Sequence, residues 1–314
     1  MIIFPNGNII TDIVASCFLG YYGEGVLPFI YYPSYRKTRQ LILRRWITNI
    51  GKSSTPSKKQ GYVTHYDPRR PWTIFQWAYT AQKYIKKLPD GGKLNAYGLT
   101  NDGTEEVARR SLEYFDMGFN NILSIYPEFF GKTQEEAINE TLGAIERCEH
   151  ILGRYYFWAV QLSFGCHNSK EDISCNMKDS LALTEAVRKK FPWLVIIVKS
   201  SIVHPYEYLV EMQKYVDAFE LVNTIPFDLV FPGQKSPIPA KGGGGYSGPA
   251  SKEMVLKYLT GARKVLSKDI IMENSIRDLE DIKRYRGIGA DAIAFCSVGT
   301  DNPNKAADFI EICS

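Results

Sequence analysis

The 314-residue sequence is poor in the residues that build metal centres and disulfide frameworks. Its six cysteines (Cys17, Cys148, Cys166, Cys175, Cys296, Cys313) include no CxxC pair, and the four histidines supply no zinc-ligand spacing with them. In a chain this long the cysteines read as thiols of a reducing compartment and not as staples. No run approaches the ~18 apolar residues of a membrane span. The start, MIIFPNGNII, carries no basic flank ahead of a long apolar stretch, so the chain reads as soluble and cytoplasmic. Charge of one sign is also lacking: 38 basic against 34 acidic side chains leave +4, too mild for a nucleic-acid binder without a basic stripe. The cluster Arg36, Lys37, Arg39, Arg44 and Arg45 reads as the solvated face of a helix. No internal repeat longer than one strand and helix is visible, and the only low-complexity segment is a run of four glycines.

What is present is a large apolar fraction, 45%, arranged with a period. Eight short apolar runs cover residues 12–19, 45–52, 120–126, 157–164, 193–200, 217–224, 268–275 and 291–298. They are too continuous for half-exposed antiparallel strands. Most are separated by segments of helical period, such as TEEVARRSLEYF, TQEEAINETLGAIERCEHIL and ASKEMVLKYLTGARKVL. Eight buried strands alternating with helices, without a break in composition, predict an α/β (β/α)8 TIM barrel as a single domain over 1–314. Two connections exceed a plain strand-to-helix loop: residues 53–119 after the second strand and 225–248 after the sixth. Elaborated loops after barrel strands sit at the carboxyl face, where sites are built.

The residues that close the strands are therefore the candidate site: Ser16 and Cys17, Lys52 and Ser53, Ser124, Gln161 and Ser163, Lys199, Asn223 and Thr224, Asn274 and Ser275, Cys296 and Ser297. With two lysines, several amides and no carboxylate cluster, the set suits a flat polar heteroaromatic ligand better than a metal. Lys199 follows the apolar run LVIIV, and two readings stand: a side chain snorkelling out of the barrel, or a cation held against an anionic ring or phosphate. GGGGYSG (242–248) precedes a helical segment and reads either as a flexible loop or as a turn whose amides cradle a phosphate. Cys166, in the turn SFGCHN, is placed as a reachable thiol able to act as base or nucleophile.

The ordered set KSST (52–55), LNAYGLTNDG (94–103), VQLSFGCHN (160–168), VIIVKSS (195–201), LVNT (221–224), GGGGYSGPA (242–250) and GADAIAFCS (289–297) resembles the dihydroorotate dehydrogenase family, whose members are FMN-containing barrels. The cysteine after the fourth strand is similar to that of the soluble class, which uses a cysteine base. The resemblance implies Cys166 as the base, with Lys52 and Lys199 completing the catalytic set. It implies substrate contacts from Lys52, Asn95, Gly98, Leu99, Gln161, Asn168, Asn223 and Thr224. FMN contacts would come from Ala15, Ser16, Lys52, Ser53, Ser124, Gln161, Lys199, Asn223, Gly245, Ser247, Gly248, Asn274, Ser275, Cys296 and Ser297. No metal is implied. The implied partners are dihydroorotate, a soluble electron acceptor and a second copy of the chain as a homodimer, in some relatives with an iron-sulfur subunit, and no nucleic acid or membrane. The chain departs from the family pattern in five respects: Gln161 replaces an asparagine, Phe164 and Gly165 precede the cysteine, His167 replaces a proline, Asn274 and Ser275 replace a glycine pair, and Cys17 replaces a glycine. On the sixth strand an ungapped match would place Pro226 and Phe227 where Asn223 and Thr224 are assigned. Alternatives to the dihydroorotate reading are a flavin enzyme acting on another dihydropyrimidine or cyclic amide, and a non-catalytic barrel relative.

Overall fold

The computed structural model describes residues 1–23, 25, 32–166 and 176–313. Eight parallel strands close a barrel in chain order: Ile13–Ser16, Thr48–Ile50, Asn121–Ile125, Ala159–Ser163, Val195–Lys199, Ala218–Leu221, Asp269–Met272 and Ala292–Phe295, the eighth pairing with the first. Each lies within one of the eight apolar runs, and the chain is a (β/α)8 barrel.

The strands are apolar on successive residues because a parallel barrel strand is covered on both faces. Alternation sorts the two sets. Val14, Ile50, Ile122, Ala159, Val195, Ile197, Ala218, Ile271, Ala292 and Ala294 form one buried cluster, the barrel interior. Ile13, Leu123, Val160, Ile196, Val198, Phe219, Ile270 and Ile293 join the larger cluster shared with the helices. An antiparallel hairpin, Ile2–Ile3 with Ile9–Ile10, adds Ile2, Phe4 and Ile10 to the interior cluster and so plugs its amino-terminal end.

A helix follows every barrel strand: Pro33–Arg44, Thr104–Asp116, Gln134–Tyr156, Met177–Lys190, Tyr206–Met212, Lys252–Val265, Leu279–Gly287 and Pro303–Cys313. The third of these opens on a capping box, with the Thr133 hydroxyl accepting from the Glu136 amide and the Glu136 carboxylate from that of Thr133. Among the described residues no helix is long and apolar enough to cross a membrane.

The two long connections carry structure that the sequence did not announce. The one after the second strand holds a helix, Thr73–Tyr84, and strands Ile85–Lys87 and Lys93–Asn95; the one after the sixth holds Ile225–Pro226 and Gly245–Ser247. The four strands join in one antiparallel sheet with its own core of Leu94, Ala96, Phe227, Ile238 and Tyr246. Gly245 is a packing requirement of this sheet: a Cβ there would lie 2.1 Å from Thr224 Oγ1. The first connection is anchored to the Thr104–Asp116 helix by Asp67, which accepts from Arg110 Nη2 at 2.8 Å, both side chains being 6% exposed. Although burial opposes its ionisation, the Arg69 amide and the Arg110 guanidinium hold the Asp67 carboxyl below the usual range.

Candidate functional site

At the carboxyl ends of the strands, beneath the four-stranded sheet, lies a cleft of about 1340 Å³ counting its open mouth. The barrel alternation explains its chemistry. Two residues beyond each interior apolar side chain, the next inward position is polar: Val14 leads to Ser16, Ile50 to Lys52, Ile122 to Ser124, Ala159 to Gln161, Ile197 to Lys199, Ala218 to Glu220, Ile271 to Glu273 and Ala294 to Cys296. The interior is thus a hydrophobic plug under a polar layer.

Lys199 stands at the centre of that layer, 7% exposed. Its Nζ is 2.8 Å from Glu220 Oε1 and 2.5 Å from Glu273 Oε2. Glu220 also accepts from Ser16 Oγ at 2.6 Å and from Gln161 Nε2 at 2.5 Å. Gln161 Oε1 in turn accepts from Ser124 Oγ at 2.7 Å, and Ser124 bonds Ser53 at 2.8 Å. Burial works against the Lys199 charge, but Glu220 and Glu273 hold its pKa well above the ordinary lysine value. Burial likewise opposes ionisation of Glu220, which Lys199 overcomes, so its pKa falls. Burial and the nearby Glu220 push Glu273 the other way, well above the usual carboxyl range. The directions favour the charges on Lys199 and Glu220 and the proton on Glu273.

This corrects the expectation that no carboxylate cluster closes the strands. Glu220 and Glu273 sit in phase with Lys199, and the period-two alternation from Ala218 and Ile271 was the signal for them. Lys93 was also missed. It lines the cleft from the four-stranded sheet, opposite Ser247 in register, and pairs with Asp301 at 3.0 Å, which also holds Arg277 at 2.6 Å.

Five non-glycine residues among those described have positive φ, and four of them line this cleft: Cys17 (52°), Leu99 (60°), Asn274 (79°) and Ser275 (56°). Such backbone is costly for residues with a Cβ and gathers at functional sites. At Cys17, Asn274 and Ser275 the chain keeps the conformation natural to glycine while presenting a side chain. Asn274 is held by its Nδ2 donating to the Asn223 carbonyl at 3.0 Å and by its carbonyl accepting from Tyr285 OH at 2.8 Å.

Of the residues singled out from the sequence, Ser16, Lys52, Ser53, Asn95, Gly98, Leu99, Gln161, Cys166, Lys199, Asn223, Thr224, Ser247, Asn274, Ser275, Cys296 and Ser297 line the cleft together. Ser124 stands one hydrogen bond behind it. The Ala15 methyl packs in the outer cluster that the strands share with the helices, and Gly245 lies within the four-stranded sheet and Gly248 just past it. Asn168 and His167 lie outside the described residues. Asn223 and Thr224, not Pro226 and Phe227, face the cleft; Phe227 is buried in the core of the sheet above. The insertion before Cys166 has a physical role at Gly165, where a Cβ would meet the Ser200 carbonyl at 2.8 Å, so glycine lets this loop press onto the end of the fifth strand. The Lys52 ammonium rests over the Tyr97 ring.

No protein-family model matches the chain. It is 27% identical over 229 residues to the protein named dihydroorotate dehydrogenase B (NAD(+)), catalytic subunit, of Staphylococcus carnosus, covering 71% of each chain. The protein of the same name from Listeria welshimeri is 27% identical over 254 residues, 77% of this chain and 79% of that one. That from Geobacillus kaustophilus is 30% identical over 222 residues, 68% of this chain and 65% of the other. Among solved structures, dihydroorotate dehydrogenase from Eimeria tenella in complex with ferulenol superimposes with a TM-score of 0.67 over 98% of this chain and 82% of that one, at 14% identity, a likeness of fold. With the ordered motifs converging on one cleft, the chain is a divergent relative of the dihydroorotate dehydrogenase family.

Proposed function

We propose that residues 1–314 form a single FMN-binding domain, cytoplasmic and working as a homodimer, that oxidises dihydroorotate to orotate. The observation that carries this reading is the convergence of Lys52, Asn95, Cys166, Lys199, Asn223 and Thr224 on one cleft at the carboxyl mouth of the barrel. The fit of a flavin mononucleotide rests on the polar groups gathered where a phosphate would sit. Toward one end stand Ser247, Ser275, Ser297 and Thr300 with the Lys93 ammonium, a donor set suited to a phosphate. Asn274 and Ser275 keep positive φ, so the backbone shape expected of a glycine pair survives their substitution. When bound, the flavin supplies a two-electron acceptor for the hydride of carbon 6.

The protein's own groups do the rest. Asn95, Asn223 and Thr224 offer amide and hydroxyl partners to a pyrimidine ring, and Lys52 offers a cation to its carboxylate. Cys166, half-buried in the wall, accepts the carbon 5 proton as a thiolate. Lys199 stabilises negative charge developing beside it, with Glu220 fixing its position. A soluble acceptor completes the cycle.

The test is an anaerobic absorbance spectrum of the purified yellow protein before and after dihydroorotate, which is expected to bleach it. Bound flavin unmoved by dihydroorotate removes the substrate assignment. Cys166→Ser is expected to slow bleaching at neutral pH by a hundredfold or more, on the order of a general-base contribution. A second reading, an uncharged dihydropyrimidine or cyclic amide as substrate, is favoured by the compensation of Lys199 by Glu220, which leaves less positive charge for an anion. Dihydrouracil in the same assay separates the two.

A further inference from the structure

Cys17 follows the first barrel strand and Cys296 the eighth, and these strands are neighbours, with Phe295 beside Ala15. The two sulfurs lie 3.1 Å apart, and both residues are half-buried in the wall of the cleft, reachable from its mouth. Continuing that register, Cys296 falls opposite Ser16, one residue before Cys17; with strands about 4.8 Å apart and a rise of about 3.3 Å per residue, the diagonal is about 5.8 Å, inside the Cα separation of about 4.4–6.8 Å that a disulfide spans. Cys17 presents its thiol from a backbone at φ 52°, a conformation that favours glycine, so the side chain is kept against the local geometry.

We propose that Cys17 and Cys296 form an oxidisable dithiol, a modification site that takes hydroperoxides and closes to a disulfide across the seam between the first and eighth strands. The Cys17 thiolate attacks one peroxide oxygen, breaking the O–O bond and releasing hydroxide, and becomes a sulfenic acid. Cys296 then attacks that sulfur, its proton passing to the departing oxygen so that water is expelled, and the hydroxide from the first step takes up the proton that Cys17 released on ionising. Two thiols are oxidised to one disulfide and one hydroperoxide is reduced, giving two waters when the peroxide is hydrogen peroxide.

The surroundings suit these roles. The Cys296 S–H donates to Cys17 and, against burial and Glu220, with Lys199 and Lys52 nearby, draws the Cys17 thiol down to about 7. Cys296 is pushed up by that same hydrogen bond and by burial, with Glu273 adding to it against Lys199, and so keeps its proton until it resolves the sulfenic acid. Cys148, by contrast, is buried among apolar groups, and its thiol is pushed up to about 12. Closing the bridge removes a negative charge from beside Lys199. The inference does not depend on the substrate proposed above.

The test uses the full chain as purified, reduced, freed of reductant, treated with hydrogen peroxide, then alkylated and digested without reduction. The expected result is a Cys17–Cys296 linked peptide, loss of two hydrogens in the intact mass, and full reversal by dithiothreitol. Formation should quicken as pH rises through about 7. Cys17→Ser and Cys296→Ser should each abolish the linked peptide, and Cys296→Ser should leave a Cys17 adduct with dimedone. The proposal is overturned if both thiols remain alkylatable after peroxide, if either links instead to Cys166 or Cys175, or if Cys17 passes to sulfinic acid with no link formed. The wild-type peptide map decides the matter even if a variant fails to fold.

Discussion

Replacing Lys199 with Met tests the charge cluster in the barrel directly. The substitution is close to volume-conserving and leaves two buried carboxyls without their cation. At an effective dielectric of about 20, unit charges 2.8 Å apart attract by about 6 kcal/mol, part of which only offsets the desolvation of the lysine. Glu220 can escape its isolation by taking a proton. From its ordinary pKa of 4.5, that costs about 1.4 kcal/mol per pH unit, or about 3 kcal/mol at pH 7 and less than about 1 kcal/mol at pH 5. The sign follows: in the wild type the lowered Glu220 pKa contributes stability that is present above 4.5 and lost as pH falls through its native value. In Lys199→Met that contribution is gone, and the native state holds a proton that the unfolded chain releases, so the deficit grows with rising pH. Urea denaturation at pH 5, 6 and 7 reads this as a midpoint shift at constant m-value. Adding Glu220→Gln to Lys199→Met should recover most of the loss at pH 7, because a neutral cluster needs no counter-ion. A deficit independent of pH, or a double variant no more stable than the single, would refute the assignment of an ionised Glu220 paired to Lys199. Glu273→Gln should behave oppositely. Since the raised pKa of Glu273 gives stability that is lost as pH climbs above 4.5, the variant should gain on the wild type between pH 5 and 7.

Asp67→Asn breaks a buried pair with Arg110 and should cost about 3 kcal/mol, with limited proteolysis cutting first between residues 53 and 103. Gly245→Ala must displace Thr224 and should lower stability by about 1–3 kcal/mol; the loss should appear in hydrogen exchange of Lys93–Asn95 while the barrel strands stay protected. His65 is half-buried, and desolvation, with Lys52 nearby, draws its pKa down to about 4. Its NMR titration should show a neutral ring at pH 6, and stability should fall by about 3 kcal/mol as pH drops from 6.5 to 4, an acid loss absent from His65→Gln.

The barrel was legible because its strands are buried on both faces, so each announces itself as a continuous apolar run. The four strands over the mouth were not. They are two or three residues long, include Pro226 and Gly245, and cannot display a period. The helix Thr73–Tyr84 escaped for another reason: Phe75 and Tyr79 are exposed, so its apolar residues mark no buried face. Within the cleft, the closing residue of each run was a good guide to the wall, but Glu220 lies inside its run, where an acid in AFEL looks like an interruption. Read at period two from Ala218 it is the next inward position. Cys17, Asn274 and Ser275 show the reverse limit, since nothing in the residue types announces that all three adopt positive φ.

The sheet over the mouth also bears on how the chain acquires its shape. Lys93–Asn95 pairs with Gly245–Ser247, a partner about 150 residues further on, so this contact has one of the longest loop closures in the molecule. Apart from the pairing of the eighth strand with the first, barrel neighbours follow one another in sequence; this pairing must wait until six strands have been made. Closure of the cleft is therefore expected to be a late event in folding, following the formation of local units. A nascent chain arrested before Gly245 would own most of the polar layer but no roof above it. Such a species would expose Leu94 and Ala96 to water and offer the edge of Lys93–Asn95 to any passing strand.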